Sequence, residues 1–156
     1  MKINFDFLTK IFGRRAPTSN VAPVFHPNEA SNLRGFPGII AAKVVEVQKH
    51  PNADRLRIVK LDVGGNMLEP VVCGANNFEA GAMVALALPG ASIAQNIHSE
   101  THEPFVLGKA KIRGVESQGM ICAAFELGLA NEPGQGIMIL KSDITPGSQF
   151  NSGMVQ

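Results

Sequence analysis

Lys109, Lys111 and Arg113 recur at every second position. Side chains alternate across an extended strand, so this spacing puts three cations on one face, roughly 7 Å apart. That is the scale of successive phosphates on a nucleic-acid backbone. The opposite face then carries Gly108, Ala110 and Ile112. A second basic stretch spans residues 43–60. It holds Lys43, Lys49, Arg55, Arg57 and Lys60 against Glu46 and Asp54, a net of +3. Within it, His50-Pro51-Asn52-Ala53-Asp54 is a turn, because Pro fixes φ and Asn and Asp fold back onto the backbone. Both patterns suit a polyanion, and both also suit a solvated face. The spacing alone does not choose between them.

Other constellations carry less. The run Arg113-Gly114-Val115-Glu116-Ser117-Gln118-Gly119-Met120 allows close backbone approach and offers hydroxyl and amide groups. It lacks the Lys-Ser/Thr ending of a phosphate-binding P-loop. His98-Ser99-Glu100-Thr101-His102-Glu103 holds two His and two acids, without the His-Glu-x-x-His order of a zinc protease. We expect no metal site, no catalytic residue and no cofactor in this chain. No nucleophile elbow is present, and neither Cys73 nor Cys122 has a His near it in sequence. Both cysteines sit in apolar settings and read as buried small hydrophobes in a reducing compartment. Tyr and Trp are absent, so base stacking would fall to the nine Phe. Recognition of any nucleic acid is therefore expected through backbone and shape.

The charge is sorted along the chain. Residues 1–60 carry ten Lys/Arg and four Asp/Glu, and residues 61–108 carry no Lys or Arg and five acids. The three cations at 109–113 follow, and residues 114–156 hold four acids against Lys141. A net charge of only +1 thus conceals a division into basic and acidic faces. With 45% hydrophobic and 17% charged residues, the chain is a folded globule rather than a disordered one. No apolar run reaches the length of a membrane span, and polar residues interrupt the N-terminus where a signal core would lie. A cytoplasmic location is expected.

The elements that must position these groups are short. Gly and Pro number 16 and 10, enough to break up long helices. Residues 1–12 read as a strand (Ile3, Phe5, Phe7) running into a helical turn, and residues 13–37 as a Pro-rich connection. Strands are expected over Ile39–Val47, Leu56–Val63, Leu68–Cys73, Met83–Leu88, Leu107–Arg113 and Ile137–Leu140. Gly64-Gly65-Asn66 closes a hairpin. The large and small alternation of Val84, Ala85, Leu86 and Ala87 fits the inside of a small tapered barrel. A short helix is expected near Phe125–Leu127. The fold class is all-β.

Five segments complete the reading: His50-Pro51-Asn52-Ala53-Asp54-Arg55-Leu56, Val72-Cys73-Gly74-Ala75-Asn76, Ala87-Leu88-Pro89-Gly90-Ala91, Arg113 to Met120, and Glu126-Leu127-Gly128-Leu129. In this order they resemble the tRNA-binding OB domain found in bacterial phenylalanyl-tRNA synthetase β subunits, in methionyl-tRNA synthetase C-terminal extensions and in the EMAP-II cytokine domain. The Cys-Gly-Ala-x-Asn form and the Gly-Lys-Ala-Lys-Ile-Arg-Gly-Val run are most similar to the phenylalanyl β subunit. The resemblance implies a five-stranded OB barrel with short helices over residues 38–148, an N-terminal strand-helix arm and linker over 1–37, and a tail over 149–156. It implies tRNA as partner, held noncovalently during aminoacylation. A synthetase α subunit would supply the catalytic site with its ATP and Mg2+. The expected tRNA contacts are Lys43, Lys49, Arg55, Arg57, Lys109, Lys111, Arg113 and Ser117. Asn76 and Met120 join them as members of the family motifs. The chain departs from the family at Ala123, where a serine is common, and in the short 13–37 connection. A free-standing dimeric tRNA-binding or chaperone-like protein of the same fold is the alternative.

Overall fold

A computed structural model describes residues 35–156. The strand and helical turn expected within 1–12, and most of the connection after them, lie outside the described residues. Ten strands follow one another: β1 (Ile39–Lys49), β2 (Arg57–Asp62), β3 (Met67–Cys73), β4 (Met83–Ala87), β5 (Ser92–Ile93), β6 (Phe105–Val106), β7 (Ala110–Ile112), β8 (Val115–Ser117), β9 (Met120–Ile121) and β10 (Ile139–Leu140). The main sheet is antiparallel in the order β10-β4-β1-β2-β3, and β9 also pairs with β4. β1 is long enough to serve two partners. Its first half pairs with β4 and its second half with β2, with a register shift between Val44 and Glu46. The shift turns Val45 outward, to 42% exposure. Such bulges sharpen twist and let a sheet curl.

The curl closes on itself. At the far edge, Pro70 O accepts from Gln118 N at 2.9 Å, and Val72 N donates to Ser117 Oγ at 2.9 Å. Residues 117–121 thus bridge β3 and β4, so the expected barrel is completed by a seam made partly from a side chain. At that seam Gly119 has no room for a side chain. A Cβ there would lie 2.8 Å from the carbonyl oxygen of Ala87.

β4 is buried at every position, because it has a core on each side. Val84 and Leu86 point into the barrel with Val44, Val59, Leu61 and Val71. Met83, Ala85 and Ala87 point outward, beneath a second layer built from Ile93, Cys122, Leu127, Leu140 and Phe150. The small residues of the alternation therefore admit this outer layer, while the large ones fill the barrel. A 3-10 turn at Phe125–Leu127 occupies the position of the expected helix. Residues 149–156, read as a tail, belong to the packed unit. Phe150 is buried, its N–H donates to Ile39 O at 3.0 Å, and Leu140 and Val155 form a bridge. Both cysteines are free and buried, and loss of hydration pushes both thiols up from their ordinary value.

The extended run expected over Leu107–Arg113 is shorter than its pattern. Leu107 still hydrogen-bonds Ala91 and Gly90, whereas Ala110–Ile112 pair with Val115–Ser117. The chain changes partner across Gly108 and Lys109, and the strand is cut there. Ile112, on the face opposite the lysines, lines a cleft beside the barrel.

Candidate nucleic-acid interface

β7 and β8 form a hairpin closed by Arg113 and Gly114, with φ of 52° and 92°. Two successive positive φ values match the right-handed twist of the strands they join, and glycine at the second position adopts its value without strain. The loop after β1 is fastened to this turn by two side chains. His50, only 3% exposed, lies with Nε2 3.0 Å from Ile112 O, while its Nδ1 accepts from Asn52 N at 3.0 Å. These two bonds require the neutral Nε2–H tautomer, with Nε2 donating to Ile112 O. Asn52 Nδ2 donates to Arg113 O at 2.9 Å.

This fastening brings separate parts of the sequence to one end of the barrel. Arg55 and Arg113 line a common depression of about 560 Å³ with Asn52 and Asp54. Lys109 and Lys111 stand on the same hairpin, exposed. Arg55, Lys109, Lys111 and Arg113 form no ion pair with any other described residue. Lys49 is nearby at the end of β1 and makes only a 3.7 Å surface contact with Asp54, where solvent screening leaves little net attraction. The alternation expected along this run holds in part. Gly108, Ala110 and Ile112 all line the cleft, and the two lysines do not. Arg113 leaves the strand for the turn.

The remaining expected contacts are placed elsewhere. Lys43 lies six residues back along β1, roughly 20 Å away. It is exposed beside Asp62, whose carboxyl is held below its ordinary range mainly by the N–H groups of Gly65 and Gly64. Arg57 is spent on the fold. Its Nε donates to Ala75 O at 3.2 Å and an η nitrogen to Phe78 O at 2.9 Å, and the guanidinium lies 4.4 Å above the Phe78 ring. Asn76 is exposed in the loop that Arg57 ties down. Ser117 is 4% exposed, accepting from Val72 N and donating to Gly119 O at 2.8 Å. Its hydroxyl holds the seam and does not face solvent beside the lysines. Met120 is half-buried and lines the cleft.

Two residues were missed. His50 read only as part of a turn, yet it latches the loop to the hairpin. Asn77 exchanges two hydrogen bonds with Ile137, at 2.9 and 3.0 Å, and fixes one wall of the cleft. A single sequence offers no signal for either pairing, since the partners lie about 60 residues away. The His98–Glu103 segment forms an excursion between β5 and β6. Thr101 Oγ1 donates to Glu103 Oε2 at 2.8 Å, and Asn96 Oδ1 accepts from His98 N at 2.9 Å. Among the described residues, no group of three His, Cys, Asp or Glu is placed to hold a metal. No helix among them is long and apolar enough to cross a membrane.

The cleft next to the hairpin has a volume of about 660 Å³ and runs between β7, β9 and the loops around residues 74 and 136. Its lining is mainly apolar. Its polar members are Asn96, His98, Ser117 and Glu126, the last a carboxyl in a residue only 6% exposed. Its Oε2 accepts from Ala123 N at 2.8 Å. Burial pushes its pKa up, and the Ala123 hydrogen bond and the charge of His98 oppose that rise.

Comparison with known proteins agrees with this geometry. Residues 39–149 match the family model described as "Putative tRNA binding domain". The chain is 50% identical over 102 residues to the phenylalanine–tRNA ligase β subunit of Chlorobaculum tepidum, covering 65% of this chain and 12% of that one. It is 44% identical over 115 residues to the same subunit of Pseudoalteromonas translucida, covering 74% and 13%. The chain thus spans about an eighth of the length of these relatives. Among solved structures, a MetRS-related protein from Pyrococcus horikoshii superposes with a TM-score of 0.51 at 16% identity, over 83% of this chain and 99% of that one. At that identity the likeness speaks for the fold alone.

Proposed function

Because this chain belongs to the tRNA-binding domain family, we propose that it serves as the tRNA-holding domain of a phenylalanine–tRNA ligase β subunit. Binding is noncovalent. Arg55, Lys109, Lys111 and Arg113 engage phosphates, with Lys49 at the margin and Asn76 at the neighbouring loop. The aminoacylation chemistry, with its ATP and Mg2+, resides in a partner α subunit, and the assembly works in the cytoplasm. The observation that carries this reading is the pair of side-chain latches from His50 and Asn52 to the hairpin. They gather cations from two distant segments at one end of the barrel and hold the backbone that bears them. A preordered basic surface loses less entropy on binding than a floppy one. The net charge of +1 gives little long-range attraction, so the local cluster must supply the affinity.

The test is a pair of tRNA salt titrations, wild type against a Lys109→Glu, Lys111→Glu, Arg113→Glu variant. Each lost phosphate contact removes about 0.7–0.9 from the slope of log affinity against log salt. The variant is expected to bind more weakly and with a flatter slope, whereas Glu100→Gln with Glu103→Gln changes little. Equal affinity and slope in the triple variant would show that the hairpin is only a solvated face.

A further inference from the structure

The cleft beside the basic hairpin has no assigned occupant. Its volume, about 660 Å³, falls within the roughly 300–1,000 Å³ of small-ligand sites. Its walls are mainly apolar, with Asn96, His98 and Ser117 among them, and Phe105 adds an aromatic side chain. At its buried end Glu126 uses one oxygen for Ala123 N. Its other oxygen, Oε1, has no hydrogen-bond partner among the described residues. A carboxylate offers about four lone-pair sites, and leaving most of them unused in a buried place is costly. A ligand that brings donors would satisfy them. The cations supply the second half of the argument. β7 turns Ala110 and Ile112 into the cleft, while Lys109 and Lys111 lie outside it. A polymer whose phosphates follow the lysines would therefore run past the cleft mouth with its side groups within reach of it.

We infer that the cleft receives one unstacked guanine of the bound RNA, packed against the apolar walls, with the Glu126 carboxylate accepting from its N1–H and amino group. Guanine is the natural base whose ring N–H and exocyclic amine adjoin on one edge, which matches an acceptor-only carboxylate. Adenine and cytosine bring an amine beside a ring acceptor, and uracil brings an N–H between two carbonyls. This inference rests on the RNA-binding reading above, but its test separates the two.

The experiment titrates the full chain with guanosine monophosphate and with inosine monophosphate, which lacks the amino group. Backbone amide NMR shifts are followed at Ala110, Ile112 and Met120. Two variants run alongside. Ala110→Phe fills the cleft. Glu126→Gln keeps the shape, and with its single oxygen bonded to Ala123 N it presents an NH2 donor inward. Guanosine monophosphate is expected to shift the cleft amides and to bind about tenfold tighter than the inosine nucleotide, the value of one hydrogen bond to a charged group. That ratio should vanish in Glu126→Gln, which a merely structural role for the carboxyl would not cause. Ala110→Phe should abolish the shifts and weaken tRNA binding by about tenfold. If Ala110→Phe does not fold, the base ratio in Glu126→Gln still decides. No cleft shifts with guanosine monophosphate, and tRNA affinity unchanged by Ala110→Phe, would overturn the inference while leaving the tRNA reading intact. Cleft shifts without tRNA binding would uphold the site and refute the broader reading.

Discussion

Replacing Ser117 by Ala distinguishes a structural seam from a contact surface. Ser117 lies in the Ser-Gln-Gly-Met motif and was expected to touch RNA, but its hydroxyl is buried between Val72 N and Gly119 O. Alanine leaves the Val72 N–H without an acceptor at a buried edge, where Val72 is 7% and Ser117 4% exposed. An orphaned buried donor costs about 1–3 kcal/mol, and the Gly119 carbonyl loses a donor as well. A value of about 2 kcal/mol follows for the pair, since a carbonyl with a second lone pair suffers less. For a domain of this size the urea m-value is about 1–3 kcal/mol/M, so the unfolding midpoint should fall by about 1 M at unchanged m. The assay is urea unfolding followed by far-UV circular dichroism, with tRNA affinity measured separately in native buffer. Affinity of the folded variant should stay within about twofold of wild type. If Ser117 instead contacts RNA, the midpoint stays put and tRNA binding weakens. That result would refute the seam.

Three further outcomes are expected. Arg57→Lys should destabilise by about 1–3 kcal/mol in urea unfolding, because a single ammonium cannot reproduce the two carbonyl contacts and the stacking on Phe78. Gly119→Ala should cost a similar amount, about 1–3 kcal/mol, since its Cβ would meet the Ala87 carbonyl at 2.8 Å; near-wild-type thermal unfolding would contradict the seam geometry. Glu126→Gln should show a pH-dependent effect on stability. Burial raises the folded pKa of Glu126 above its unfolded value, with His98 opposing and Cys73 and Cys122 nearby, so the folded form binds more protons between the two values. Stability of the wild type therefore falls as pH rises through that window. The variant should gain relative to wild type at neutral pH and lose that advantage as pH drops below it, as read by urea midpoints across pH.

The legible parts of the fold were those written in local patterns. Gly64-Gly65-Asn66 predicted a hairpin, and Asp62 Oδ1 accepts from the N–H groups of both glycines. The alternation in β4 identified a strand with two different faces, and it has them. What could not be read was partnership over distance. Residues 105–112 share one apolar and basic pattern, yet they serve β5 first and β8 afterwards, and no periodicity records a change of partner. Residues 149–156 are polar on average, so their docking hangs on one buried Phe150 and a few backbone bonds. Of the proposed contacts, spacing marked Lys109 and Lys111, both exposed on the hairpin. It did not separate them from Arg57, because charge is visible in a sequence and hydrogen-bond commitment is not.

That difference bears on what the motifs mean. His50, Asn52 and Ser117 are polar residues of the motif segments, Arg57 follows the first segment directly, and each is consumed inside the domain. Their bonds close the barrel, latch the loop to the hairpin and pin the Ala75–Phe78 loop. A motif match therefore reports a scaffold of fixed loops. The cations at 55, 109, 111 and 113 are a separate layer, exposed and replaceable without touching that scaffold. A chain that keeps the rest of the five motifs but carries neutral residues at these four positions should fold equally well and lose its salt-dependent hold on RNA. A chain with the cations but without His50 should keep its charge and lose the geometry. Its affinity should fall even though all four cations remain, because they would no longer be held in one arrangement.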